Sequence, residues 1–134
     1  TFGGGVALIG DGSFWTGDDP WQALLRSIIQ RFLGEGRRAG KKKYSAPTEP
    51  YTTMLTNAGY ACVEYEDIPV TRTWTTDTIL GYLYSTSFSA RELYGDRLVE
   101  FEATMPSELL AANGGLDHFV ENAHFVLQSG IHEC

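Results

Sequence analysis

The residues best suited to chemistry cluster just after a short apolar run near the start of the chain. Val6-Ala7-Leu8-Ile9 leads into Gly10-Asp11-Gly12-Ser13-Phe14-Trp15, which places a carboxylate, a hydroxyl and two aromatic rings on one loop. In open α/β sheets, ligands bind outside the carboxyl ends of the strands, and this loop follows such an end. Rings placed there can wall a pocket and exclude water. The same rings also suit a buried aromatic hinge between strand and helix. A dinucleotide fingerprint is excluded, because Trp15 stands where the third glycine of G-x-G-x-x-G is needed. Arg37, Arg38, Lys41, Lys42 and Lys43 make up half of the 10 basic residues. They read either as a solvated loop or as a contact for an acidic substrate. His118, His124 and His132 lack metal-ligand spacing. His124 is expected to be a structural residue on an internal strand, and His132 to lie in a frayed terminus. No nucleophile, base and orienting group recur at a usable spacing.

The elements that must position these groups follow from pattern. The continuous run Val6–Ile9, bounded by glycines, suits a strand buried on both faces of a parallel sheet. Asp19-Pro20 opens a helix, with Asp19 as N-cap and Pro20 at the first turn. Trp21, Leu24, Leu25, Ile28, Ile29 and Phe32 recur with helical spacing, and Gly34 and Gly36 are stops. Residues 35–49 read as a loop. Pro50 precedes a helix over Tyr51–Asn57, with Gly59 as its left-handed cap. A strand is expected over Cys62–Ile68. Thr75 or Thr76 caps a helix from Asp77 to about Tyr84. Ser89 or Asp96 begins further helix, with Leu98, Phe101, Met105 and Leu109 on one face, kinked or divided at Pro106 and ended by Asn113-Gly114-Gly115. Phe119–Ile131 is strand-like, with both faces partly buried.

Composition bounds the rest. The 134 residues suit a single domain, and a net charge of −7 disfavours general nucleic-acid binding. No apolar run approaches the roughly 20 residues of a membrane span. No signal peptide is visible, and two cysteines, Cys62 and Cys134, make no disulfide framework. A cytoplasmic protein is therefore expected. The chain begins without Met and runs at once into a strand, so it reads as a fragment or a trimmed product.

Taken in order, these segments resemble one family. Gly4-Gly5-Val6-Ala7-Leu8-Ile9 looks like the entry to the fifth strand of class I S-adenosylmethionine-dependent methyltransferases. Thr1-Phe2 stands where that family carries Lys/Arg-Pro. The stretch Tyr51–Tyr60, ending Asn57-Ala58-Gly59-Tyr60, is similar to the family's "leucine, then alanine-glycine-phenylalanine" helix end, and Ala61–Tyr65 follows as its sixth strand. Trp74–Ser87 resembles the insert after that strand in small-molecule methyltransferases of the trans-aconitate methyltransferase-like group. The terminal strand would be the seventh, antiparallel one. The resemblance implies an α/β fold (with an α+β reading open): the C-terminal portion of a Rossmann-like sheet with inserted cap helices, one domain or half-domain over residues 1–134. It implies S-adenosylmethionine as cofactor of the intact enzyme and a small-molecule acceptor. Asp11, Ser13, Phe14 and Trp15, with Trp74, Tyr82 and Ser85 of the insert, would bind that acceptor; core packing of a short helix is the other reading of the last three. The acidic, glycine-rich donor loop of the family has no counterpart here, so no cofactor is expected for this chain alone. The first strand would lack the family's fourth strand as its neighbour, and that unpaired apolar edge implies a homodimer or association with a missing N-terminal half. Two further readings remain open. One is a non-catalytic binding or oligomerisation module. The other starts from Gly10-Asp11-Gly12-Ser13, which resembles the opening of the thiamine-diphosphate motif, although Arg37–Lys43 stands where its Asn pair belongs.

Overall fold

A computed structural model describes residues 3–132. Thr1, Phe2, Glu133 and Cys134 lie outside the described residues. In chain order the elements are strand β1 (Gly5–Asp11), helix α1 (Pro20–Leu33), short strands β2 (Arg38–Ala39) and β3 (Lys42–Lys43), helix α2 (Tyr51–Asn57), strand β4 (Ala61–Trp74) and helix α3 (Thr76–Tyr84). A 3₁₀ segment, Arg91–Arg97, leads into helix α4 (Leu98–Ala112), and strand β5 (Phe119–Ile131) closes the chain. The fold is mixed α and β. Its main sheet has three strands in the order β1-β5-β4, and β2-β3 form a separate pair.

The helices begin where local chemistry directs. Pro20 sits at the start of α1, and the Asp19 N–H donates to Gln22 Oε1 at 3.3 Å, the return arm of a capping box. Thr75 caps α3 in the same reciprocal manner: Thr78 N donates to Thr75 Oγ1 at 3.3 Å, and Thr75 N to Thr78 Oγ1 at 2.8 Å. Helix α2 ends on Gly59 at φ +87°, and Tyr60 N closes the turn onto Leu55 O at 3.0 Å. A side chain at that φ would be strained. Asn113 ends α4, with its Nδ2 donating to the carbonyls of Leu116 (2.7 Å) and His118 (2.9 Å).

Contacts divide the chain into two compact units. Among the described residues, one comprises 3–12, 46–70 and 122–132; the other comprises residues 13–45 and 71–121. The second holds the main core. Leu25, Ile28 and Ile29 of α1, Ile79 and Leu83 of α3, and Phe101, Met105 and Leu109 of α4 are all buried in one cluster with Phe14 and Tyr94. Their i, i+3, i+4 spacing is what lets each helix bury one stripe. In the first unit, Leu55 and Ala123 are buried.

Four expectations are corrected. Strand β1 does not sit in a parallel sheet with both faces covered. It pairs antiparallel with β5, from Gly5 opposite Ile131 to Asp11 opposite Phe125, and Ile9 is 72% exposed. An apolar run reports low polarity, and the cover it implies must come from elsewhere. Of the two effects expected of Pro106, kinking or dividing the helix, division is the one corrected: α4 runs unbroken through it. Residues 35–49 are not all loop, since they contain the β2-β3 pair. Finally, Cys62 is disulfide-bonded. The sequence has one other cysteine, Cys134, outside the described residues. A disulfide persists in oxidising surroundings, so cysteine usage no longer argues for a reducing compartment. Among the described residues no helix is long and apolar enough to cross a membrane.

Candidate functional site

The residues singled out from sequence fall into both units, and each group is described within its own. In the second unit, the turn after β1 is closed by Thr16 N donating to Ser13 O at 3.0 Å. It drives Phe14 inward to 1% exposure. The Phe14 ring meets Trp21 at 5.1 Å and Trp74 at 4.9 Å, both edge to face, and Tyr82 at 4.2 Å. Trp74 and Tyr82 also meet each other at 5.5 Å. Such geometry matches the quadrupoles of the rings and adds to their area burial. Trp15 is half-buried against Phe88 at 5.8 Å, and its carbonyl accepts from Arg26 Nη1. The structure thus brings Phe14, Trp74 and Tyr82 together, with Phe14 inside the core. Ser85 stands apart: it is exposed, and its Oγ donates to Tyr82 O at 2.6 Å at the end of α3. Ser13 Oγ is buried and has no hydrogen-bond partner among the described residues.

A polar group that sequence reasoning missed stands beside these rings. Glu121, on β5, is 1% exposed. One carboxylate oxygen accepts from Arg72 Nη2 and the other from Trp74 Nε1 at 2.9 Å. The Arg72 guanidinium also lies 5.5 Å from the Trp74 ring. A carboxylate this deep is tolerable only when its oxygens are occupied, and here both are. The alternation Phe119, Glu121, Ala123 on one face of β5 was the available signal. Asp117 similarly receives Thr76 N at 2.6 Å, fixing the start of α3.

In the first unit, Asp11 lines an open groove of about 770 Å³ at the end of β1. Leu8 and Ile9 supply apolar floor, Tyr51 and Tyr65 supply rings, and Gln128 supplies an amide. Tyr51 and Tyr65 are 45% and 59% exposed. Tyr51, Tyr65 and Gln128 also border a second hollow of about 450 Å³ that reaches Pro47 and Pro50. The volume is in the range of small-molecule sites, and rings with a few polar groups are their usual lining. Tyr51, Tyr65 and Gln128 were not singled out from sequence. Tyr65 shares β4 with charged neighbours, and only the sheet carries it to Gln128.

The histidines take ordinary places. His124 lies on β5, the central strand, as expected; its side chain is exposed and pairs with Asp67 at 2.9 Å, Nδ1 to Oδ1. The His132 ring meets Tyr60 edge to face at 6.1 Å. Among the described residues no group of three His, Cys, Asp or Glu side chains is placed to hold a metal ion. The strongly shifted tyrosines lie elsewhere in the second unit. Burial, then a 2.8 Å hydrogen bond to Glu102, raises the Tyr84 hydroxyl well above its ordinary value. Burial pushes Tyr94 up to about 12, against a smaller lowering by Ser89.

No protein-family model matches the sequence, and no curated protein matches it significantly.

Proposed function

We propose that this chain is the acceptor side of an S-adenosylmethionine-dependent methyltransferase that acts on a small molecule. The observation in support is the pairing of β1 with the terminal strand. The Gly4-Gly5-led strand is taken up by β5, antiparallel and in unbroken register over Gly5–Asp11, as the resemblance implies of a terminal strand. The donor, when bound, supplies an electrophilic methyl group. The residues present do not fit a donor pocket: in the resemblance the Gly10-Asp11-Gly12-Ser13 loop follows the fifth strand, and no other strand among the described residues leads into an acidic, glycine-rich loop. The donor site is therefore assigned outside this chain, and no step is derived through it.

The chain's own part is to hold the acceptor. The groove at the end of β1 offers Tyr51 and Tyr65 as walls against water and Asp11 as an acceptor for a substrate hydroxyl or amine N–H. Holding the acceptor atom in line is most of what methyl transfer asks of such a site.

The test uses tritium-labelled S-adenosylmethionine and the natural full-length product that contains this chain. Label should pass into a small-molecule acceptor. Asp11→Asn and Tyr65→Ala should raise the acceptor KM about tenfold or more, roughly 1.4 kcal/mol of binding. Donor affinity and melting temperature should hold. A full-length product that binds no donor would overturn the reading. Micromolar donor binding by this chain alone, measured by calorimetry, would overturn the placement of the donor site.

A further inference from the structure

Five cations between Arg37 and Lys43 stand in a chain whose net charge is −7. The structure folds them into a hairpin. Strands β2 and β3 pair antiparallel, with Arg38 opposite Lys43 and Ala39 opposite Lys42. Tyr44 N donates to Arg37 O at 2.8 Å and extends the ladder by one bond. Gly40 N donates to Ser87 O at 2.7 Å and pins the hairpin tip. The arrangement is thus held by backbone bonds, against the repulsion of two cations placed directly across from each other.

No ion pair offsets that charge. Among the described residues, Arg37, Arg38, Lys41, Lys42 and Lys43 form no ion pair. Arg37 lies with its guanidinium 4.2 Å from the Tyr44 ring and 5.4 Å from the Phe88 ring, and its buried Nε has no hydrogen-bond partner. Arg38 is held from the other side, its Nε donating to Leu33 O at 3.3 Å, at the end of α1. That bond uses one N–H of its planar fork. Arg38 then lines a hollow of about 470 Å³ with Lys41, Lys42 and Lys43, and Glu35 is the acid in that lining.

We propose that this hollow is a binding site for a small molecule bearing two or more anionic groups, phosphate or carboxylate. A guanidinium fixed at Nε leaves its terminal N–H groups for an oxyanion, and the lysines act as adjustable point charges. The volume suits a compact ligand and lies within the usual range of such sites. An anion seated there relieves the opposition of Arg38 and Lys43, so binding and hairpin stability rise together. The acidic balance of the whole chain disfavours a nucleic-acid or membrane surface, which needs basic charge spread over a wide face. The proposal stands apart from the methyl-transfer reading and does not need it.

The experiment is calorimetric titration of the whole chain with pyrophosphate and with citrate at fixed ionic strength, paired with melting curves. At least one of the two should bind saturably and raise the melting temperature. The double variant Arg38→Gln/Lys42→Gln should weaken that binding by about tenfold or more, while Arg91→Gln, distant in sequence and paired with Glu102, should leave it unchanged. Without ligand, the double variant should melt within a few degrees of the parent, since relief of the opposed like charges offsets the lost bond from Arg38 Nε to Leu33 O. That control separates loss of a site from loss of the fold. Absence of saturable binding by both anions would overturn the proposal. Binding that survives the double variant would overturn it as well. So would tight binding of a single-stranded oligonucleotide or of phosphatidylserine vesicles, with neither small anion bound.

Discussion

Glu121 carries the clearest energetic statement in the molecule. It is 1% exposed, and its carboxylate is shared by Arg72 and Trp74. Glu121→Ala removes the acceptor of both donors at once, and a buried pair broken on one side costs about 3 kcal/mol. Denaturant unfolding should show that loss as a shifted midpoint at unchanged slope, with altered Trp74 fluorescence. A loss under about 0.5 kcal/mol would mean that the carboxylate is not held as described. Gly17 makes a second, separable test. A Cβ there would lie 1.9 Å from Gln22 Oε1 and 2.2 Å from its Cδ, and Gln22 is 2% exposed. Gly17→Ala must therefore displace the amide that receives Asp19 N, at a cost of about 1–2 kcal/mol. Added to Gln22→Ala, the same change should cost much less, because the obstructing amide is gone. Additive losses in that cycle would contradict the contact.

At the scale of elements, legibility followed the range of the signal. Helices α1 and α2 and strand β5 have the bounds read from sequence, Pro20–Leu33, Tyr51–Asn57 and Phe119–Ile131. Their caps, prolines and glycines act within a turn or two, so local chemistry decides them. The cover of β1 was not legible, because it depends on a partner strand at the far end of the chain. The reach of β4 through Pro69 to Trp74 was missed for the same reason: an edge strand tolerates the missing N–H, and edge position is a tertiary fact. Glu121 lay in an apolar face whose explanation, Arg72, sits 49 residues away. The site followed suit. Phe14, Trp74 and Tyr82 were found as residue types, while Tyr51, Tyr65 and Gln128 were assembled only by the sheet. The 3₁₀ segment before α4 offers a prediction of its own. It carries Tyr94, 4% exposed and stacked on Phe101 at 4.0 Å. Its hydroxyl, pushed up to about 12, binds its proton more tightly folded than unfolded, where tyrosine titrates near 10. That contribution is fully present below pH 10 and is lost as pH rises toward 12, on the order of 2 kcal/mol. Unfolding free energies across this window should fall for the parent and fall less for Tyr94→Phe. Equal slopes would place the alkaline loss in other groups.

The two edges of the three-stranded sheet differ in how they meet solvent. On β4, Glu64, Glu66, Asp67, Pro69 and Arg72 interrupt the strand with charge and a missing donor, the usual protection of an edge. On β1, the sequence Gly5-Val6-Ala7-Leu8-Ile9-Gly10-Asp11 has no proline and no charge before its last residue, and Ile9 is 72% exposed. Sheet order leaves β1 with β5 on one side alone. An apolar, uninterrupted edge is a template for another strand, and a second copy of the same strand is always at hand in a concentrated solution. The isolated chain should therefore self-associate at micromolar concentration. Ile9→Lys should suppress this with little change in melting temperature, because the side chain it alters is 72% exposed within its own chain. Light scattering with chromatography decides: the parent should run above the mass of one chain and the variant at that mass. A parent that is folded and monodisperse at the mass of a single chain would show that the β1 edge is closed without help from a second copy.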